Sequence, residues 1–248
     1  MRISFFEEFS TKSNLEKLKL VSWPTKVYLA AKSLEEFNKI KKNIKDKNIE
    51  ELVYWPVLDK REGYWISPFS RKKALLRIFK ELKDKKISVM LDLEFPTRQN
   101  FWLYLIEWFN FFKNKRLIEQ FIQNYNGQIY LAEYYPEGKR KEELLQWLGL
   151  HYNIKNVKVI KMYYHSLHNF SEAIVSKELQ QGVREYGDDY QAAFGTIAMG
   201  IHGNEPILPL KQLKIDLQLA KQAGVKEAVI FRLGGLNKKY AQIINQFV

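Results

Sequence analysis

The chain reads as an α/β protein, a single-domain (β/α)8 TIM barrel spanning residues 1–248. Three observations predict it. Short β-branched or aromatic runs alternate with longer amphipathic ones. The alternation repeats eight times. The length of 248 residues suits this fold, which usually takes ~250.

Strands are expected at 2–6, 26–31, 51–55, 87–93, 128–133, 157–163, 192–199 and 227–231. Helices follow them near 13–21, 33–43, 70–84, 97–124, 139–148, 169–181, 210–223 and 237–247. Alternating strand and helix implies parallel strands joined by right-handed crossovers. Eight such units favour closure over an open doubly wound sheet. An open sheet of that kind would carry a glycine-rich phosphate turn after its first strand, where this chain has FFEEFS. Gly127 and Gly224 stand before the fifth and eighth strands, where helix C-terminal caps are expected. No Pro/Ser/Gly-rich linker interrupts the pattern.

A hydrophobic content of 46% is enough for a globular core. Aromatics reach 15%, more than core filling needs. Forty Lys and Arg against 28 Asp and Glu give a net charge of +12. The lysines are scattered along segments such as KIKKNIKDKNIE, which read as solvated helix faces. With no arginine-rich stripe or nucleic-acid motif, nucleic acid is not the expected partner. The opening MRISFFEEFS places two carboxylates where a signal core would lie, and no run reaches the ~18 apolar residues of a membrane span. The expectation is a cytoplasmic protein with no membrane span. The absence of cysteine removes disulfides and thiolate–zinc sites.

The fourth helix contains NFWLYLIEWFNFFKNK, apolar nearly all round. Its first reading is extra packing over the barrel wall. An oligomer contact through the segment between Phe101 and Phe112 is the second, and a membrane-surface anchor the third.

In this fold active sites occupy the C-terminal ends of the strands. Those ends carry Glu7 and Glu8, then LDLEFP, LAEYYP, KMYYHSLH, GIHGNEP and FRLGGLN. The opposite ends offer nothing comparable, and buried carboxylates cost desolvation unless partnered. Asp92 and Glu94 are two apart on a strand and share a face, with Leu91 and Leu93 turned to the helices. Two close carboxylates push one pKa up, so one can hold a proton and act as a general acid. The plainer reading is a pair bonded to a cation such as Arg232. Tyr54, Trp55, Tyr64 and Trp65 border the third strand's long loop, and Tyr134, Tyr135, Tyr163 and Tyr164 follow strands five and six. Flat rings with polar tips suit sugar faces and hydroxyls. A carbohydrate is therefore the expected ligand, with Glu133, His165 and Arg232 as further polar contacts.

LDLEF on the fourth strand and KMYYHSLH on the sixth are similar to two motifs of the family 18 glycoside hydrolases, the chitinase family. That family ends strand four with D-x-D-x-E, strand six with a M-x-Y-D-like segment, and the last strand often with an aromatic residue. Phe231 stands about at that last place. The resemblance implies that Glu94 donates the proton, Asp92 orients an N-acetyl group, and Tyr163 or Tyr164 supports it. The substrate's N-acetyl oxygen then attacks the anomeric carbon, and no protein nucleophile, cofactor or metal is required. This chain departs from the pattern at Met90, where the outer aspartate belongs, and at His165, near the place of the strand-six aspartate. No glycine-rich stretch precedes Asp92. These departures point to a divergent member, another sugar, or a sugar-binding relative without activity.

Two other classes stay open. A metal-dependent barrel would use Glu7 or Glu8, Glu133, His165, His202 and Glu205; Glu205 before Pro206 also reads as a turn residue. A phosphate-binding barrel would use Gly200, Gly203, Gly234, Gly235 and Arg232; the plainer reading of the glycines is a turn with positive φ. A non-catalytic interaction protein is the third class. His151, in a helix–strand linker, is given no role.

Overall fold

The computed structural model describes residues 1–96, 101–135 and 138–248, and of Phe101 its backbone alone. Eight parallel strands close into a barrel in the order β1 to β8. They are β1 (Arg2–Glu7), β2 (Thr25–Ala31), β3 (Ile49–Pro56), β4 (Val89–Leu93), β5 (Ile129–Tyr134), β6 (Lys158–Tyr163), β7 (Tyr190–Gly195) and β8 (Glu227–Phe231). The helices are α1 (Lys12–Leu15), α2 (Leu34–Asn43), α3 (Lys72–Leu82), α4 (Phe101–Glu107), α5 (Phe111–Asn124), α6 (Lys139–Leu148), α7 (Glu172–Tyr186), α8 (Leu210–Ala223) and α9 (Lys238–Ile244). A 3₁₀ turn at Trp108–Asn110 separates α4 from α5, so the long fourth helix of the sequence is two helices. The expected start of that helix at residues 97–100 lies outside the described residues.

Internal contacts gather into two compact units. One comprises Met1–Ala30, Lys39–Val53 and Val159–Val248; the other comprises Ala31–Asn38 and Tyr54–Lys158.

In the second unit, α3 turns Ala74, Leu75, Ile78, Phe79 and Leu82 inward at helical spacing. Burying an aliphatic side chain of this size contributes roughly 1.5–3 kcal/mol. Phe79 stacks on Phe121 of α5 with centroids 4.2 Å apart. β4 and β5 pair in register, Met90 with Tyr130, Asp92 with Ala132 and Leu93 with Glu133. In-register parallel partners share a face. Asp92 therefore lies with Met90, Tyr130 and Ala132, while Leu91 and Leu93 lie with Leu131 and Glu133.

In the first unit, α7 starts at Ser171, whose side chain accepts from the Ile174 amide. α8 ends at Gly224, which takes the left-handed conformation at φ +85 and closes the helix as a C-cap. The other expected cap is not one. α5 ends at Tyr125 in extended conformation, and Gly127 is glycine because a Cβ there would come within 2.3 Å of the Ile87 carbonyl oxygen. The seventh strand also begins earlier and stops sooner than expected. Thr196 itself bonds outside the β6–β7–β8 ladder, its amide donating to Ser166 Oγ at 2.7 Å and its carbonyl accepting from Leu208 at 2.7 Å.

The expectation that the strands' N-terminal ends carry no polar cluster is overturned. Lys26 on β2 and Glu227 on β8 are both buried, and Lys26 Nζ lies 2.8 Å from Glu227 Oε2. Ser4 Oγ donates to Glu227 Oε1 at 2.6 Å, and Arg2 adds a partly exposed contact at 3.6 Å. A lysine at the start of a strand looks like a surface turn residue in sequence; here it neutralises a carboxylate two strands away, across β1.

Candidate functional site

The acids that the alternation places together are together. Asp92 is the penultimate residue of β4, and Glu94 follows the strand end on the same face. The two share a hydrogen bond. Tyr134, the last residue of β5, donates its hydroxyl to Glu94 Oε2 at 2.9 Å. Burial pushes the Glu94 carboxyl up to about 7, against the smaller opposing effects of the Tyr134 and Asp92 hydrogen bonds. The proton belongs to the pair, since two carboxylates this close titrate as one system. The Tyr134 hydroxyl is held well above its ordinary range, by burial first and by the Glu94 charge second. It stays a donor at any physiological pH.

Aromatic rings that sequence reading missed flank this group. Phe95 directly follows Glu94, and its ring lies 6.4 Å from that of Tyr134 and 6.0 Å from that of Phe69. Phe69 packs at 5.0 Å on Tyr104, whose hydroxyl donates to the Pro96 carbonyl at 3.2 Å. The available signal was adjacency: Phe95 sits beside the acid in LDLEF, and Phe69 ends the third strand's loop.

That loop is tied to the acids by backbone. The Ile66 amide donates to the Asp92 carbonyl at 3.0 Å, next to Trp65. Tyr64 takes φ +65 and its carbonyl accepts from Leu58 at 2.7 Å, which folds the loop back on itself. Tyr64 and Trp65 meet edge to face at 5.4 Å and are both buried. Trp55 is buried on the face opposite Tyr54. Tyr54 pairs in register with Val89, so it shares the face of Leu91 and Leu93 rather than that of Asp92. Its ring packs 5.2 Å from Phe37 of α2.

Glu133 is likewise turned away from Asp92. Its Oε2 lies 2.7 Å from Nδ1 of His151, and its Oε1 accepts from the Tyr152 amide at 3.4 Å. The other nitrogen of His151 lies 3.5 Å from Glu142 of α6. His151, given no role in the sequence, is therefore the residue that occupies Glu133 on the helix-facing side.

The remaining candidates lie in the other unit. Tyr163 shares a 2.7 Å hydrogen bond with Tyr190, a ring that fills the space a Cβ at Gly182 of α7 would need. This sets Tyr163 on the helix-facing side of β6. The Tyr164 ring lies 5.8 Å from Phe231. His165 Nδ1 lies 2.9 Å from Oδ1 of the buried Asp216 on α8. Arg232 donates to Glu7 Oε1 at 3.0 Å and to the Met199 carbonyl at 2.9 Å, and lies over the Phe9 ring. Glu7 accepts in addition from the amides of Phe9 and Gly234 and from Asn14. Burial raises its carboxyl despite the Arg232 charge.

These bonds bear on the two other enzyme classes. The Gly234 amide that a phosphate would need is given to Glu7 at 2.6 Å. Neither Gly234 nor Gly235 has positive φ; a Cβ at Gly235 would instead come 1.9 Å from the Ile197 carbonyl oxygen. Close approach, not turn conformation, selects glycine there. Among the described residues no group of three or more His, Asp or Glu side chains converges as a metal site. Glu205 accepts from the amides of His202 and Asn204, at 3.0 and 3.1 Å, as a loop residue does.

No protein-family model matches the chain, and no curated protein matches it. Its fold aligns with a GH18 chitinase from Pseudoalteromonas aurantia at TM-score 0.56 and 8% identity, covering 100% of both chains. It aligns with the PgaB (BpsB) glycoside hydrolase domain from Bordetella bronchiseptica at TM-score 0.58 and 10% identity, over 99% of this chain and 98% of that one. A D-tagatose 3-epimerase-like protein aligns at TM-score 0.51 and 14% identity, over 100% and 97%. At such identities the likeness is one of fold. The chain is a (β/α)8 barrel similar in fold to family 18 chitinases and other glycoside hydrolases.

Proposed function

We propose that the chain acts on a carbohydrate bearing an N-acetyl group, with Glu94 as proton donor and Asp92 as the group that orients the substrate. The observation that carries this reading is the protonatable Glu94–Asp92 pair with Tyr134 bonded to it. A carboxyl whose pKa is near 7 holds a proton under neutral conditions and can give it to a leaving oxygen. In the proposed step Glu94 protonates the glycosidic oxygen as that bond to the anomeric carbon breaks. The carbonyl oxygen of the substrate's N-acetyl group forms the new bond to the same carbon, and Asp92 holds the amide N–H. Water then opens the cyclic intermediate, returning the proton to Glu94. The chitinase and glycoside hydrolase neighbours support the substrate class by analogy of fold.

The test is cleavage of a panel of aryl N-acetylglycosides across pH. Activity should fall on the alkaline side with a midpoint near 7, because the acid form of the pair is lost there. In Tyr134→Phe the carboxylate loses a donor that favours its charged form, so the midpoint should move to higher pH. Failure of every glycoside, together with no saturable binding of N-acetylated oligosaccharides, would sink the proposal. Binding without cleavage would reduce it to a sugar-binding relative.

A further inference from the structure

α4 turns Leu103 inward together with its one carboxylate and leaves a second apolar face outward. Glu107, its carboxylate, is buried and paired with Arg71 at 3.3 Å. Trp102, Leu105 and Ile106 recur at i, i+3 and i+4, the spacing of one helical face; that face is exposed, and so is Phe109 in the 3₁₀ turn that follows. Trp102 is 70% and Phe109 87% accessible. A second group of exposed rings gathers around the buried ring of Phe111, which follows the 3₁₀ turn. Phe111 touches Trp108 at 6.3 Å, Phe112 at 5.1 Å and Trp147 of α6 at 5.7 Å, and all three of these neighbours are exposed. Lys115 fastens the two helices by donating to the carbonyls of Gln146 and Trp147, at 2.7 and 3.0 Å. The result is a fixed aromatic surface, not a set of scattered side chains, and contiguous exposed apolar surface of this kind marks a contact site.

Its border is basic. Lys113 and Arg116 continue the Phe109–Phe112 face one turn further along α5, and Lys139 and Arg140 open α6; all four are exposed. Across α4, α5 and α6 Glu143 is exposed and Glu119 and Glu142 are half-buried, against five exposed cations that include Lys141. Three of the chain's six tryptophans stand on this surface, at Trp102, Trp108 and Trp147. Tryptophan has an apolar body and a polar N–H, which suits the boundary between headgroups and acyl chains.

We propose that this surface docks the chain on an anionic phospholipid membrane, the rings entering the interface and the cations meeting the headgroups. Charge decides between a bilayer and a second copy. A two-fold copy would set Lys113 and Arg116 near like-charged groups, whereas an anionic leaflet attracts them. No helix of the described residues is long and apolar enough to cross a membrane, so the contact is interfacial.

The test mixes the full chain with phosphatidylcholine vesicles, with and without one third phosphatidylglycerol, and reads co-sedimentation and quenching of tryptophan by brominated acyl chains. Binding with quenching on the anionic vesicles is expected. The double variant Lys113→Gln/Arg116→Gln should lower partitioning roughly twenty- to thirtyfold, about fivefold per charge. Trp102→Ser/Phe109→Ser should lower it at least as far and leave the melting temperature in place, since both side chains are exposed. The proposal is overturned if anionic vesicles do not bind the chain, or if the Ser variant binds them as well as the parent. A dimer in light scattering that Phe109→Ser dissociates would also overturn it, by showing a second copy as the occupant.

Discussion

Glu94→Gln should lower glycoside cleavage roughly a hundred- to ten-thousand-fold, the range that a positioned general acid supplies. Glutamine keeps the shape and still accepts from Tyr134 but has no acidic proton to give. The same variant has a second signature, in stability. With its folded pKa raised to about 7, the pair retains a proton in the native state that the unfolded chain releases near the ordinary carboxylate range of about 4.5. Native stability from this source is fully present below that lower value and is lost as pH rises through about 7. Glutamine removes the dependence. Above pH 7 the variant should therefore melt higher than the parent, and below pH 5 the two should converge. Loss of activity with melting curves that run parallel at every pH would mean that Glu94 carries no trapped proton.

Lys26→Met should cost roughly 3–5 kcal/mol, because it leaves Glu227 buried without its cation. For a domain of this size that corresponds to a fall of roughly 6–20 °C in melting temperature. Ser4 continues to donate to Glu227 and Arg2 stays partly exposed nearby, so some charge compensation survives. The double variant Lys26→Met/Glu227→Leu should recover most of the loss, since replacing both partners of a buried pair by apolar groups is often neutral or better. A single variant that melts within a degree or two of the parent would show that this pair does not hold the strand ends together.

What the sequence disclosed followed from periodicity. α6 and α8 lie at their expected limits, and Asp92 and Glu94 share a face, because a period of 3.6 or of 2 is a local property. What it concealed followed from distant partners. Glu133 and His165 looked like ligands at the strand ends, yet His151 and Asp216 occupy them, and nothing local announces either pairing. Lys26 and Glu227 come from opposite ends of the chain and were invisible as a pair. The segment around α4 was apolar on every side, so no pattern could say which side faced out. Burial of Glu107 against Arg71 decided it.

The hydroxyl that steadies the acid after β4 comes from the end of β5. A designer who transplanted only the fourth strand and its loop into another barrel would import the carboxyl groups without the hydroxyl that restrains the upward push of burial on the Glu94 carboxyl. The heritable unit here is two adjacent strands in fixed alignment, and recombination that separates them should yield folded chimeras whose acid titrates at higher pH.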